Sequence, residues 1–218
     1  IVIMCFIVKD YIMKCLELGE SNKINSLEEK SYMKSIHDDS YSMNMIVTYY
    51  ANDMETKYEI RHDYNNGIEK ITYIKPDKFN GMTVEVNDSE IIHMNPYIQK
   101  NITYYTEYPK NYNNILFSSF ARNYLNDKEA SVEETKNEYI LKTTIPGDNY
   151  HFKYQECYIS KETKNPLRII IKSKDKVKVC DIMITCMEEL KEDTKEYAKQ
   201  EVKENVKLVG KNIKFGSN

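Results

Sequence analysis

The sequence predicts a mainly β protein with a few helices, built as a single curved antiparallel sheet with one helix lying on it and a short N-terminal helix. Three observations predict it. From Lys57 to Tyr108, short segments of alternating character are closed by turn residues at Asn65-Asn66-Gly67, Pro76-Asp77, Asn87-Asp88-Ser89 and Asn95-Pro96, the pattern of an antiparallel meander. The hydrophobic period then becomes helical over Asn113 to Asn126, and alternating segments resume from Glu138 to Met187. Finally, the chain carries 19 Tyr, 6 Phe and no Trp, amphipathic rings that suit half-buried sheet faces.

A chain of 218 residues holds one sizeable β domain. Thirty-one basic and 34 acidic residues leave a formal charge of −3, which gives no general attraction to nucleic acid. Five cysteines (Cys5, Cys15, Cys157, Cys180, Cys186) are odd in number and lack C-x-x-C spacing, so neither zinc nor a disulfide framework is expected. Cys180 and Cys186 lie on one predicted strand, about 20 Å apart, too far to pair. With six glycines there is no phosphate loop. None of His37, His62, His93 and His151 sits in a nucleophile-elbow context. Arg61-His62-Asp63 falls on a strand, which sends His62 to the face opposite its neighbours. His37-Asp38-Asp39 reads as a solvated turn. The expectation is a protein that is not an enzyme and uses neither cofactor nor metal.

Residues 1–20 form an apolar, signal- or anchor-like segment. Its run IVIMCFIV is too short to span a membrane, for which about 20 residues are needed. Cys5 and Cys15 are the candidates for lipid attachment. The domain proper is expected over 21–187. Ser26 and Glu29 make a capping box for a helix from Leu27 to His37. Tyr41 to Tyr50 is a strong strand with Tyr41, Met43, Met45, Val47 and Tyr49 on one face. Strands follow at Glu55 to Tyr64, Ile68 to Lys75, Phe79 to Val86, Ile91 to Met94 and Ile102 to Tyr108. The helix over Asn113 to Asn126 takes Asn113 or Asn114 as its cap, and Asp127 to Lys136 is an acidic connection. The later strands are Glu138 to Ile145, Tyr150 to Ser160, Leu167 to Ser173 and Lys176 to Met187. Residues 188–218 are charged and helix-friendly, a C-terminal helix or tail.

This order of parts, with the strand SYSMNMIVTYY, the run Tyr-Ile-Lys-Pro-Asp-Lys-Phe at 73 to 79, the strand TVEV, the segment IIHMNPY and the later Lys164-Asn165-Pro166-Leu-Arg-Ile edge, resembles the LolA/LolB-like lipoprotein-localisation family. The resemblance covers roughly Ser26 to Met187. It implies an open half-barrel whose mouth is covered by the helix at Asn113 to Asn126 as a lid. It implies a concave face and lid that bind a ligand or partner, made here by Met43, Met45, Val47, Met82, Val84, Met94, Phe117 and Phe120. The family usually has an Arg where this chain has Asn80-Gly81, and a Trp where it has His93.

Low Gly and Ala with many Lys, Asn, Ile and Tyr give the chain the look of an AT-rich Firmicute version of this fold. It is similar to the clostridial spore-germination lipoproteins of the fold. That likeness implies an extracytoplasmic, membrane-associated protein of the spore envelope that binds and activates an N-acetylmuramoyl-L-alanine amidase acting on cortex peptidoglycan. A carrier that takes lipoprotein acyl chains into the concave face is the second expectation. A regulator that binds an anti-sigma factor is the third. The free sheet edges add an expectation of homodimers formed by edge-strand pairing or exchange.

Overall fold

The computed structural model describes residues 30–34, 40–51, 53–87, 90–98, 100–105 and 114–189. The N-terminal segment, most of the first helix, the His37-Asp38-Asp39 turn and the C-terminal tail lie outside the described residues. Among the described residues, eleven strands form one antiparallel sheet in the order β6-β5-β4-β3-β2-β1-β11-β10-β9-β8-β7. The first meander comprises β1 (Tyr41–Ala51), β2 (Met54–Asn65), β3 (Ile68–Lys75), β4 (Thr83–Val86), β5 (Glu90–Asn95) and β6 (Lys100–Tyr105). The second comprises β7 (Ser131–Glu134), β8 (Glu138–Thr144), β9 (Tyr154–Ser160), β10 (Pro166–Lys172) and β11 (Lys178–Glu189). They are sewn together where β1 pairs with β11, from Tyr41↔Glu189 to Tyr49↔Cys180. Among the described residues the sheet does not close, and β6 and β7 are its free edges.

The curvature has a local cause. Registers slip between Asn44 and Met45 in β1, between Glu59 and Ile60 in β2, between Pro166 and Arg168 on the β9 side of β10, and between Ile171 and Lys172 on its β11 side. Each extra residue bends and twists its strand. In the first slip Thr185 is the unpaired residue, and its hydroxyl donates to the Asn44 carbonyl at 3.1 Å. The β2–β3 hairpin turns on Asn66 (φ 49°) and Gly67 (φ 85°), the two positive φ values of a tight hairpin that the Asn-Asn-Gly sequence predicts.

Helix α1 is described over residues 30–34, and its Met33 is fully buried in the core. Helix α2 (Phe117–Asn126) lies on the concave face. Three expectations are corrected. Phe79 to Met82 is not strand: Asp77–Phe79 is a 3-10 turn and β4 begins only at Thr83. The acidic connection contains β7, paired with β8, because Val132 gives an otherwise polar segment enough apolar character for an edge strand. The helix starts at Phe117 with Leu116 in the cap position and no side-chain cap. The carbonyl of Asn114 is instead held by the Gln155 side chain, whose Nε2 donates to it at 2.7 Å.

The two faces of the sheet differ in chemistry. The convex face of the second meander carries ion pairs, Arg168 with Asp181, Lys178 with Asp181 at 3.2 Å and Lys172 with Glu156 at 2.6 Å. The concave face is apolar, with Met43, Met45, Val47, Ile60, Ile71, Leu141, Ile169 and Ile182 all buried. The concave side therefore holds the more extensive apolar surface.

Candidate binding face

Helix α2 divides the concave face into a filled half and an open half. On the filled side Phe117, Phe120 and Ala121 are 0 % exposed and Tyr124 is 2 % exposed. The rings form a column, Phe117 to Phe120 at 6.4 Å and Phe120 to Tyr124 at 5.9 Å between centroids, and Phe117 meets Tyr41 edge-on at 5.9 Å. Each fully buried side chain of this kind contributes roughly 1.5–3 kcal/mol. Met43, Met45, Phe117 and Phe120, expected to face a ligand, are thus brought together as shared core.

Polar bonds fix the same helix. Asn123 Nδ2 donates to Gln155 Oε1 at 2.8 Å inside the core, and Gln155 in turn holds the chain just before α2. At the other end Asp127 Oδ2 accepts from the Thr143 hydroxyl at 2.9 Å, the Thr144 amide at 2.8 Å and the Thr144 hydroxyl at 3.0 Å. Desolvation opposes the Asp127 charge, but the Thr144 and Glu129 amides and the two threonine hydroxyls outweigh it and hold the carboxyl below its usual range. Gln155 sits on the buried face of β9 with Cys157 and Ile159, while the aromatic set Tyr154 and Tyr158 is only half-buried. Burying a glutamine costs less when both ends of its amide are bonded, as here.

Beneath the first turns of α2 lies a polar cluster of Tyr41, His62, Tyr64, Glu69, Ser118 and Arg122. His62 is fully buried on the face opposite Arg61 and Asp63, which pair with each other at 2.9 Å. Among the described residues its two ring nitrogens have no hydrogen-bond partner, and Glu69 Oε2 lies 3.9 Å from Nε2. Burial lowers the His62 pKa to about 4, against an opposing effect of Asp63. The Tyr41 ring packs edge-on against His62 at 5.7 Å and stacks on Tyr64 at 5.2 Å.

The open half contains a cavity of about 520 Å3. Val47 and Tyr49 of β1, Tyr58 and Ile60 of β2 and Tyr73 of β3 form its floor and one wall. Phe79, packed beside Tyr58 and Tyr73, lines it as well, with Met82, Val84 and His93 and the Thr83 position of β4 between them, and Ile115 borders it on the helix side. Val47, Met82 and Val84 are therefore the expected binding residues that face open space. Met94 follows His93 on β5 and projects from the other face, since neighbouring strand residues alternate. The aromatic members Tyr49, Tyr58, Tyr73 and Phe79 were not singled out from sequence, because their strands become neighbours only once the register is known. From this cavity the apolar wall continues through Ile91 and His93 to Ile102 and Tyr104 on the free edge β6, where Ile102 is 53 % and Tyr104 52 % exposed.

Cys157, Cys180 and Cys186 are free thiols. Burial pushes the Cys180 thiol up to about 12, so it is inert. Among the described residues no group of three or more His, Cys, Asp and Glu is placed to hold a metal ion, and no helix is long and apolar enough to cross a membrane.

Comparison with protein-family models and with curated proteins finds no match. Among solved structures, an uncharacterised conserved protein from Thermus thermophilus superposes with a TM-score of 0.52 at 11% identity, over 78% of this chain and 93% of that one. A chain in the complex of the CwlD amidase from Clostridioides difficile with the GerS lipoprotein is 27% identical, with a TM-score of 0.45, over 75% of this chain and 91% of that one. A LolA superfamily protein from Nitrosomonas europaea gives 12% identity and a TM-score of 0.42 over 74% and 93%. The first of these likenesses shows the fold alone. The open antiparallel sheet with α2 lying on its concave face is the half-barrel architecture that the sequence resemblance implies.

Proposed function

We propose that this chain is an extracytoplasmic, lipoprotein-type accessory factor that binds and activates an N-acetylmuramoyl-L-alanine amidase of the spore cortex, anchored through Cys5 or Cys15. The sequence resemblance supplies the partner. One structural observation favours gripping a protein over carrying lipid: α2 is part of the core. Its rings are buried, and Asn123–Gln155 and Asp127–Thr143/Thr144 fix it to the sheet. A carrier that loads acyl chains under its lid must expose those rings each time it opens. A scaffold that presents a rigid rim and a free apolar edge to a partner has no such cost.

The test is co-expression of the chain with the N-acetylmuramoyl-L-alanine amidase encoded in the same genome. The expected result is co-elution in size-exclusion chromatography and faster release of stem peptides from cortex glycan than the amidase gives alone. A chain that elutes without the amidase and yields lipid on organic extraction supports the second reading instead, a carrier of acyl chains in the 520 Å3 cavity. That reading has the apolar members of the cavity wall in its favour.

A further inference from the structure

Asparagine followed by glycine is the dipeptide that most readily loses a side-chain amide, because no β-carbon shields the glycine nitrogen that attacks it. The chain has two, Asn66-Gly67 and Asn80-Gly81. Both asparagines are exposed, so access of water does not separate them. The backbone around them does. Asn80-Gly81 is held on both sides: the Gly81 N–H donates to the Tyr73 carbonyl at 2.9 Å, the Asn80 N–H to the Asp77 carbonyl at 3.1 Å and the Met82 N–H to the Phe79 carbonyl at 3.0 Å. A β-carbon at Gly81 would meet Pro96 Cγ at 3.4 Å. At the tip of the β2–β3 hairpin the last ladder pair is Asn65↔Ile68, and Asn66 and Gly67 lie beyond it. Among the described residues no backbone carbonyl accepts from the Gly67 N–H, and nothing beyond its chain neighbours comes within 4 Å of where a β-carbon would stand.

These differences bear on the slow step. The glycine amide must give up its proton, and its nitrogen must swing toward the asparagine Cγ. A proton donated to a carbonyl is held, and a backbone bonded on both sides resists the rotation. A hairpin tip opens locally with the rest of the sheet intact. We infer that Asn66 is a site of spontaneous deamidation and that the fold protects Asn80. The Gly67 nitrogen bonds to Cγ of Asn66, the amide nitrogen leaves as ammonia, and one water opens the resulting succinimide to aspartate or isoaspartate. Either product adds one negative charge. Aspartate keeps an Asp-Gly turn, which suits the same hairpin. Isoaspartate inserts a methylene into the main chain of a two-residue loop, whose length sets the register of β2 against β3. That register places His62 opposite Ile71 and Tyr64 opposite Glu69 on the buried face.

The full chain is held in mildly alkaline buffer, folded and in parallel unfolded in urea, and digested with trypsin at intervals. Cleavage after Arg61 and Lys70 isolates Asn66, and cleavage after Lys78 and Lys100 isolates Asn80. Mass spectrometry with fragmentation then locates each exchange of NH2 for OH. In the folded chain Asn66 should convert several-fold faster than Asn80, and in urea the two should convert at similar rates. Equal rates in the folded chain, or no conversion of Asn66 there, overturn the inference. An excess at Asn66 that persists unchanged in urea also overturns it, since neighbouring sequence and not the fold would then select the site. Urea midpoints read the consequence: Asn66→Asp should unfold with the parent chain, and the isoaspartyl form, separated by chromatography, at lower urea. An isoaspartyl form as stable as the parent overturns the expected loss of register.

Discussion

Truncation of Phe120 to alanine is expected to remove about 3–5 kcal/mol of stability, measured as a fall in the urea midpoint at unchanged slope. Phe120 is fully buried between Phe117 and Tyr124, so its loss leaves a cavity that two stacked rings cannot easily fill. The backbone of α2 is also pinned, through Asn123 to Gln155 and through Asp127 to β8, which limits collapse around the void. A cost below about 1 kcal/mol would mean that the helix rides on the sheet without being part of its core.

Acid should destabilise the fold through His62. Its folded pKa of about 4 lies below the unfolded value of 6.5, so between these pH values the unfolded chain binds a proton that the folded chain refuses. Stability is therefore fully present above pH 6.5 and is lost as pH falls to 4, by about 3 kcal/mol from this group. Burial, the larger cause, prevails over Asp63. Glu69, at 3.9 Å, also interacts favourably with Arg122, so its charge is shared. Replacing His62 by Phe preserves an aromatic ring beside Tyr41 and should flatten the stability profile over that window. An unchanged profile in His62→Phe would place the acid sensitivity elsewhere.

Much of the sheet was legible because its signals are local. The alternation in β1 correctly placed Tyr41, Met43, Met45 and Val47 on one buried face, and Asn65-Asn66-Gly67 marked the first hairpin. The misreadings share a cause, long-range partners that override local pattern. Phe79 looks like the start of a strand, yet its ring packs on Tyr58 and Tyr73, and the backbone turns to let it. Asn114 looks like a helix cap, yet its carbonyl serves a glutamine 41 residues away. Val132 is one apolar residue in an acidic run, and only the neighbouring β8 makes it a strand. The binding face was half legible for the same reason. Periodicity showed which residues point inward, but only the position of α2 separates Met43 and Met45, which are covered, from Met82 and Val84, which face the cavity.

The central claim is that the lid is a fixed part of the core, which makes the concave face a grip and not a gated chamber. Native-state hydrogen exchange of the α2 amides tests it most directly, with the Phe120 and Asp127 amides, bonded to Leu116 and Asn123 at 3.0 and 2.9 Å, as reporters. The prediction is that they exchange only through global unfolding, with the same opening free energy as the amides of β1 and β11. Exchange of α2 through a local opening several kcal/mol below that value, with the sheet still protected, would contradict it and restore a lid that opens to load lipid.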